Sequence, residues 1–182
     1  MTGDLFVVSG PSGAGKGTLL AQVMPKLDNI WLSVSATTRA PRKNEVDGTH
    51  YFFISDEEFD GLVSTDGLLE WASVHGERYG TIRSEVEDRL AKGTDVILEI
   101  DPQGALQVVS KIPQAVMIFI EPPSIEVLEQ RLKKRGTEDG AEIRKRMADS
   151  LDELEYRWRY QHVIVNDDLE SAAEELLELL KK

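Results

Sequence analysis

Short apolar segments alternate with segments of helical periodicity along this chain, and no other feature restricts its fold as strongly. The apolar segments cover residues 5–9, 32–35, 96–100, 116–120 and 162–165. Several are apolar at nearly every position instead of every second one, which is typical of strands buried on both faces. Buried strands separated by helices favour a parallel sheet with helices packed on both sides. Since 182 residues suit one domain with a sizeable core, the sequence predicts a single α/β domain.

The helices between these strands are predicted from capping residues and apolar spacing. Ser55 with Glu58 and Ser84 with Glu87 have the spacing of capping boxes, in which side chains satisfy backbone N–H groups at a helix start. Gly93 is expected to end the second of these helices. A C-terminal helix is predicted by apolar residues at helical spacing, which are Leu169, Ala172, Ala173, Leu176, Leu177 and Leu180.

Two segments do not fit the alternation and are expected to project from the sheet. Residues 36–80 contain Asp47-Gly48 between two strand-like runs, which is a hairpin signal, so a small antiparallel insertion is predicted there. Residues 124–160 are predicted to form arginine-rich helices with a polar break at "RGTEDG". The remaining core then comprises about residues 1–35, 81–123 and 161–182.

The charge balance limits the partners that this chain can have. It carries 33 acidic and 21 basic residues, a net charge of -12, which disfavours a protein that coats nucleic acid or an anionic membrane. The absence of cysteine excludes disulfides and thiolate metal sites and suits a reducing compartment. No apolar run approaches the roughly 18 residues of a membrane span. We therefore expect a cytoplasmic protein whose polyanionic ligands bind local basic clusters.

A glycine-rich stretch, "GPSGAGKGT" at residues 10–18, separates the first strand from the first helix. This context predicts a phosphate-binding loop, in which successive backbone N–H groups and the helix N-terminus face an anion. Lys16 is expected to reach the β and γ phosphates of a nucleotide. An ordinary glycine turn is the alternative, and it gives no reason for a lysine at the helix start. The predicted phosphate-loop residues are Gly10, Ser12, Gly13, Ala14, Gly15, Lys16, Gly17 and Thr18.

One position of this loop departs from the standard pattern G-x-x-x-x-G-K-[ST]. Gly17 stands where the pattern has a hydroxyl residue that binds Mg²⁺, and the hydroxyl comes one place later, at Thr18. The backbone cradle does not depend on that side chain. We expect Mg²⁺ to be held by phosphate oxygens and water, so no residue is predicted with certainty as a direct metal ligand. Thr18 and Asp101 are candidates for contact through water.

A second phosphate site is suggested in the insertion by two arginines and two tyrosines. Arginine forks bind a terminal phosphate bidentately, and phenol hydroxyls can complete the set of donors. Arg39, Arg42, Tyr51 and Tyr79 have the required chemistry. Taken alone, the same residues also fit solvated arginines and tyrosines of a core or strand, so the residues leave both interpretations open.

Eight motifs in order make the chain resemble guanylate kinases, which phosphorylate GMP with ATP. The similarity covers essentially the whole chain and is carried by "GPSGAGKGT", "SVSATTRAPR", "HYFF", "LLEWASVHGERYGT", "ILEIDPQGA", "IFIEPPS", "RLKKRGT" and "VIVNDDL". The resemblance implies a three-layer P-loop fold with a parallel central sheet, an antiparallel GMP-binding insertion at 36–80 and a helical lid at 124–160. It also implies ATP with Mg²⁺, a place in purine nucleotide metabolism, and no obligate protein partner.

The resemblance assigns GMP-binding residues to the insertion. In the family, arginines and tyrosines matching Arg39, Arg42, Tyr51 and Tyr79 hold the GMP phosphate. The guanine base meets a carboxylate matching Glu70 and hydroxyls matching Ser35 and Thr81. Guanine offers N1–H and its exocyclic amine to one carboxylate, whereas adenine offers no such pair and would leave that carboxylate unpaired. Without the family pattern, Glu70 would be interpreted as a solvated glutamate beside Trp71.

Glu99 and Asp101 follow an apolar strand, at an end where ligands of such sheets bind, and they complete the predicted GMP-binding residues. One of them could orient magnesium-bound water and the other contact the nucleotide or Lys16. The resemblance also assigns residues to the ATP site and to catalysis. Arg131, Arg135 and Arg146 match lid arginines that would cover the transferring phosphoryl group and exclude water. Arg144 is expected to be a solvated charge. Asn166 and Asp167 match adenine contacts, with a simple turn as the alternative, and a stripe of Ile143, Met147, Leu151, Leu154 and Trp158 is expected to pack as an ordinary helix face.

Two other functions remain open at this point. Guanylate kinase-like domains also occur as non-catalytic protein-interaction modules, although these typically lack an intact phosphate loop and lid. A related kinase could instead phosphorylate a sugar phosphate, which needs no guanine-reading carboxylate.

Overall fold

The computed structural model describes residues 3–74, 76–135 and 140–181, with the backbone alone at residues 135 and 140–142. The strands are β1 (Leu5–Ser9), β2 (Ile30–Leu32), β3 (Ala36–Thr37), β4 (Phe52–Phe53), β5 (Leu68–Val74), β6 (Glu77–Ile82), β7 (Asp95–Glu99), β8 (Val116–Glu121) and β9 (His162–Val165). The α-helices are α1 (Lys16–Val23), α2 (Asp56–Ser64), α3 (Arg83–Ala91), α4 (Pro102–Lys111), α5 (Ile125–Arg135), α6 (Gly140–Leu154) and α7 (Leu169–Leu180).

A five-stranded sheet has the strand order β2-β7-β1-β8-β9, which confirms the predicted α/β class with a parallel central sheet. β8 pairs in parallel with β1 and with β9, through register partners such as Val7 with Met117 and Ile120 with Ile164. Every residue of β1 is buried, as its continuous apolarity predicts. β1 and β9 have the predicted bounds. β2 covers Ile30–Leu32, so the strand predicted at residues 32–35 was placed too late in the sequence and shares only Leu32 with the observed strand.

The chain divides into two compact units. The first unit comprises Met1–Leu5, Trp31–Leu98 and Gln103–Ala115, and the second comprises Phe6–Ile30, Glu99–Pro102 and Val116–Lys182. In the second unit, α7 packs against α1 and buries Ala172, Ala173, Leu176 and Leu180. These four are among the predicted apolar positions of the C-terminal helix.

The first unit contains a second sheet with the strand order β4-β3-β6-β5. β6 pairs antiparallel with both β3 and β5, as expected for the insertion, whereas β4 pairs in parallel with β3. The hairpin predicted at Asp47-Gly48 is therefore wrong. A turn does form there, with Gly48 at a φ of 72° and its N–H donating to the Tyr51 carbonyl at 2.8 Å, but it leads into a strand parallel to β3.

Of the two predicted capping boxes, one is confirmed and one is wrong. The Ser55 hydroxyl accepts from the Glu58 N–H at 3.1 Å, and the Glu58 carboxylate accepts from the Ser55 N–H at 2.8 Å, at the start of α2. α3 instead begins at Arg83 without a side-chain cap. The Arg83 N–H donates to the Gly67 carbonyl at 2.8 Å, so a contact distant in sequence satisfies a helix-start donor. Gly93, at a φ of 84°, follows the end of α3 as predicted.

No helix within the described part of the chain has both the length and the apolar character needed to cross a bilayer.

Candidate nucleotide sites

The glycine-rich loop connects β1 to α1 in the second unit and needs its glycines for two reasons. Gly10, Gly13 and Gly15 have φ angles of 138°, 88° and 95°, which side chains rarely adopt. A Cβ at Gly10 would also lie 2.0 Å from the Ile120 carbonyl oxygen, and one at Gly15 would lie 2.4 Å from Asn166 Nδ2. The loop therefore has a conformation that other residues could not adopt.

The Lys16 ammonium group lies against the backbone of this loop. Lys16 Nζ donates to the Gly10 carbonyl at 2.6 Å and to the Pro11 carbonyl at 3.1 Å. A positive charge is thus held at the N-terminus of α1, where the exposed N–H groups of the helix also favour an anion. This arrangement can bind phosphate groups through charge and through backbone donors together.

A cavity of about 300 Å³ opens beside the loop in the second unit. Its walls bring together six of the predicted ATP-site and lid residues, Gly13, Gly15, Thr18, Arg131, Asn166 and Asp167. Lys134 adds a second cationic side chain to the wall. A small concave site with converging polar and cationic groups is typical of a ligand pocket.

Asn166 and Arg131 hold the loop from one side. The Asn166 side-chain amide donates to the Ala14 carbonyl at 2.7 Å, and the residue is only 4% exposed. The Arg131 guanidinium donates to the Asn166 carbonyl at 2.9 Å and to the Ala14 carbonyl at 3.3 Å. Asn166 therefore does more than form the turn before α7, because its side chain also holds the phosphate loop. Its contact with adenine stays a prediction.

Helix α6 contacts Ser12 of the loop through three of its side chains. The Arg146 guanidinium donates to the Ser12 hydroxyl at 3.2 Å, the Ser150 hydroxyl donates to the Ser12 carbonyl at 3.2 Å, and the Ser12 N–H donates to Glu153 Oε2 at 3.0 Å. Residues 146, 150 and 153 are spaced by four and three, so they share one helix face. Every polar group of Ser12 thus has a partner on α6.

The position of Glu153 beside Ser12 changes the pKa of its carboxyl group. Burial raises its pKa, and the Asp101 and Asp149 carboxylates raise it further, while the Ser12 N–H and the Lys16 charge oppose the shift. Loss of solvation outweighs the favourable contacts because the charged form is the one that burial disfavours.

Glu99 faces the position where the loop departs from the standard pattern. A Cβ at Gly17 would lie 3.4 Å from Glu99 Oε1 and 3.7 Å from Oε2. A side chain at position 17, where the standard pattern has a hydroxyl residue, would therefore point at the Glu99 carboxylate. Within the residues that the structure describes, no group of three or more His, Cys, Asp or Glu side chains could hold a metal ion.

In the first unit, the predicted base-reading carboxylate is buried. Glu70 is 5% exposed, and Glu70 Oε1 accepts from the Thr81 hydroxyl at 2.7 Å. The two residues are register partners on β5 and β6, which places their side chains on the same face. The interpretation of Glu70 as a solvated glutamate is wrong. Ser35 lies half-buried after β2, and its carbonyl accepts from the Phe52 N–H at 2.9 Å.

Two of the predicted phosphate-holding residues of the first unit, Arg39 and Arg42, contact a carboxylate that the sequence did not indicate, Glu45. The Arg39 guanidinium donates to both oxygens of Glu45, at 2.8 and 3.0 Å, and lies 5.4 Å from the Tyr51 ring centroid. The Tyr51 and Tyr79 rings meet edge to face at 5.8 Å. The Arg42 N–H donates to the same Glu45 carboxylate at 2.7 Å. These contacts lower the pKa of Glu45 to about 2.

A family model described as "Guanylate kinase" matches residues 2–182, almost the whole chain. The chain belongs to the guanylate kinase family. The guanylate kinase of Synechococcus sp. (strain CC9311) is 53% identical over 170 residues, covering 93% of this chain and 90% of that protein. The guanylate kinase of Desulfitobacterium hafniense (strain Y51) is 51% identical over 178 residues, covering 98% and 89%. A crystal structure of guanylate kinase from Anaplasma phagocytophilum matches with a TM-score of 0.78 at 35% identity, covering 99% of this chain and 85% of that one.

The structure places the arginines that were predicted for a lid differently. Arg131 and Arg146 both contact the phosphate loop. The side chain of Arg135 lies outside the described residues. Arg144 is exposed, in agreement with its interpretation as a solvated charge.

The apolar stripe predicted along α6 is wrong at two of its five residues. Trp158 is 78% exposed and Leu151 is 37% exposed. α6 ends at Leu154, and Trp158 lies in a separate 3₁₀ turn, Arg157–Arg159, so the helical spacing does not continue to it. Its indole ring instead faces the Arg157 guanidinium at 4.3 Å.

Several residues of these sites were missed, among them Glu45, Lys134, Ser150 and Glu153. The spacing of Ser150 and Glu153 from Arg146 was visible in the sequence, but a hydroxyl and a carboxylate on a helix are typical of a solvated face. Glu45 lies three residues after Arg42 in a loop whose conformation the sequence did not predict.

Proposed function

We propose that this protein is an ATP:GMP phosphotransferase, which transfers the γ-phosphoryl group of MgATP to GMP and yields ADP and GDP. dGMP is expected to serve as a second acceptor. The observation that carries the proposal is the buried Glu70 carboxylate with its hydrogen bond from Thr81. A phosphate loop alone would also suit other nucleotide-binding enzymes, whereas a buried carboxylate selects the acceptor base.

The choice of guanine follows from the donors that a carboxylate needs. Guanine presents N1–H and its exocyclic amine side by side, so both can donate to Glu70. Adenine has no such pair, and a carboxylate at 5% exposure facing it would lose solvent without gaining a partner. Thr81 and Ser35 add hydroxyl groups for the remaining polar atoms of the base.

The acceptor phosphate would be held by Arg39, Arg42, Tyr51 and Tyr79. The Glu45 carboxylate holds the Arg39 fork in place before the phosphate arrives, through two hydrogen bonds of 2.8 and 3.0 Å. A phosphate offers the same bidentate geometry with more negative charge. Near neutral pH that phosphate is already largely ionised, so the reaction requires no dedicated general base.

The donor nucleotide would be held by the loop residues 10–18, with Lys16 at its phosphates and Asn166 and Asp167 toward the adenine. Arg131, Arg135 and Arg146 would stabilise the charge that develops on the transferring phosphoryl group, and their segment, about residues 124–160, would exclude water. Transfer is direct, and catalysis consists of positioning and charge stabilisation.

Magnesium enters this proposal with ATP. When bound, it would neutralise part of the charge on the phosphates of ATP. Glu99 beside Gly17, together with Asp101 and Thr18, supplies oxygen atoms suited to the water shell that Mg²⁺ retains.

The proposed organisation has a core of about residues 1–35, 81–123 and 161–182, a GMP-binding insertion at 36–80 and a lid at 124–160. ATP and GMP are the proposed partners, and the cytoplasm is the proposed compartment.

The test is a coupled ADP-release assay with MgATP and a panel of acceptors, namely GMP, dGMP, AMP, CMP, UMP and ribose 5-phosphate. We expect turnover with GMP and with dGMP. Lys16→Ala should abolish this turnover, while the exposed Lys26→Ala on the same unit should retain it.

Two results would contradict the proposal. Binding of GMP by the folded protein without turnover would favour a non-catalytic interaction module. Turnover with ribose 5-phosphate in preference to GMP would favour a sugar-phosphate kinase.

A further inference from the structure

Helix α4 lies along β5, the strand that carries Glu70, and contacts it through one face. Gln107 bonds the backbone of Trp71 twice, accepting from its N–H at 3.2 Å and donating to its carbonyl at 3.1 Å. Lys111 Nζ donates to the Leu68 carbonyl at 2.7 Å. Because β5 is an edge strand, these side chains satisfy backbone groups that no neighbouring strand pairs. The position of α4 relative to β5 is therefore fixed by specific bonds.

Gly104 lies on the same face, three residues before Gln107, and meets the Glu70 carboxylate. A Cβ at position 104 would come within 2.8 Å of Glu70 Oε2, 3.3 Å of Cδ and 3.4 Å of Cγ. Gly104 lies in α4 and is not among the glycines with positive φ, so the backbone conformation does not require glycine there. What excludes a side chain is the position of the carboxylate.

The carboxylate is enclosed between two elements. Glu70 Oε1 accepts from the Thr81 hydroxyl at 2.7 Å, while Oε2 lies beside Gly104. An alanine at position 104 would displace the end of a flexible side chain and not the backbone. That same end, however, is the group that must meet the base, and polar recognition depends on positions within a few tenths of an ångström.

We propose that Gly104 is a specificity-determining residue, because the missing Cβ sets the position of the Glu70 carboxylate toward the acceptor base. Gln107 acts as a positioning residue that holds α4 at the required distance. This inference rests on the proposed function, in which Glu70 recognises guanine.

The experiment compares Gly104→Ala with Gly61→Ala. Gly61 also lies in a helix of the first unit, and a Cβ there would meet no atom within 4 Å. Both changes replace a helical glycine by a better helix former, which offsets part of the cost of moving the Glu70 side chain in Gly104→Ala, so both variants should stay folded. We expect Gly104→Ala to lower kcat/KM for GMP by at least about tenfold and to reduce the preference for GMP over IMP and AMP. The KM for ATP should stay unchanged, and Gly61→Ala should match the wild type within about twofold.

A double-mutant cycle separates an effect on recognition of the acceptor base from a general loss of activity. Asp at position 70 is one methylene shorter than Glu and leaves room for a Cβ at position 104. We expect Glu70→Asp to cost less GMP activity in the Gly104→Ala background than in the wild type. If Gly104→Ala unfolds the protein, Gln107→Met provides the second test, with a loss for GMP and an unchanged KM for ATP.

The results that would overturn the inference about Gly104 differ from those that would contradict the proposed function. Wild-type GMP activity and selectivity in both Gly104→Ala and Gln107→Met would overturn the inference, as would an equal loss for ATP and GMP. A wild-type enzyme without preference for GMP, or a Glu70→Ala variant that keeps the preference, would instead contradict the proposed function.

Discussion

Two glutamates of this chain, Glu45 and Glu153, have pKa values shifted in opposite directions, and their surroundings explain the difference. Glu45 accepts hydrogen bonds from the Arg39 side chain and the Arg42 N–H, which lower its pKa to about 2. Glu153 accepts one N–H bond from Ser12 but loses solvent through burial, and burial raises its pKa. For Glu45, hydrogen-bond donors stabilise the charged form and lower the pKa. For Glu153, desolvation disfavours the charged form and raises the pKa. The Glu45 carboxylate therefore supports the fold at neutral pH.

The Glu45 contribution to stability should disappear in acid. Its pKa in the folded state, about 2, lies below the ordinary value of 4.5, so the unfolded chain binds the proton more tightly. The stabilisation is then present above about pH 4.5 and lost as the pH falls toward 2. We expect Glu45→Gln to lower the free energy of unfolding at pH 7 and to make it less sensitive to acid below pH 4.5.

Urea unfolding at a series of pH values checks this prediction. Glu175→Gln, at an exposed position in the middle of α7, is the control and should follow the wild type closely. A Glu45→Gln variant whose stability falls with acid as steeply as that of the wild type would contradict the assigned ion pair.

At the scale of elements, α6 differs from an ordinary surface helix because three of its side chains contact one loop residue. Arg146, Ser150 and Glu153 contact the hydroxyl, carbonyl and N–H groups of Ser12. The orientation of α6 on the phosphate loop then depends on all three bonds together. Since α6 also supplies Arg146 for the proposed transfer step, the position of that arginine depends on the two neighbouring contacts.

Ser150→Ala should therefore reduce catalysis more than it reduces GMP binding. A hydrogen bond of this kind contributes about 1 kcal/mol, which corresponds to a loss of roughly fivefold in kcat. The KM for GMP should not change, because the GMP-binding residues are assigned to other elements. Steady-state kinetics with the exposed Asp152→Asn as control measures both constants. A rise in the KM for GMP with an unchanged kcat would exclude this role for Ser150.

The elements also show what the sequence could and could not predict. β1 was predicted to the residue because its continuous apolarity goes with burial of every residue on both faces. β9 was also predicted to the residue, although only Ile164 of its four residues is buried. The capping box at Ser55 was predictable because all its bonds lie within four residues, whereas α3 begins at a contact with the distant Gly67 carbonyl.

The same division holds for the candidate sites. Motif residues such as Lys16 and Glu70 were predicted from the glycine loop and from the family resemblance. Glu45, Glu153 and Gly104 were not, because their importance depends on side chains brought together only by folding.

At the scale of the whole molecule, a chain with a net charge of -12 is proposed to bind two anionic nucleotides. Its global field opposes such ligands, so each needs a local set of cations. The cations proposed for GMP, Arg39 and Arg42, lie in the first unit, whereas Lys16 and Arg131, proposed for ATP, lie in the second. The two nucleotides are therefore expected to affect different parts of the chain.

Hydrogen exchange can test this partition. GMP should slow short-time exchange in β3, β5 and β6, and a non-hydrolysable ATP analogue should slow it in residues 10–18 and around Asn166. Short times are needed because any bound ligand also stabilises the whole fold, by about 2.7 kcal/mol at a hundredfold excess over Kd. Lys16→Ala should weaken the effect of the ATP analogue and leave that of GMP, since its charge serves only the donor phosphates. Protection of residues 10–18 by GMP alone, with β5 and β6 unchanged, would reverse the assignment of the two sites.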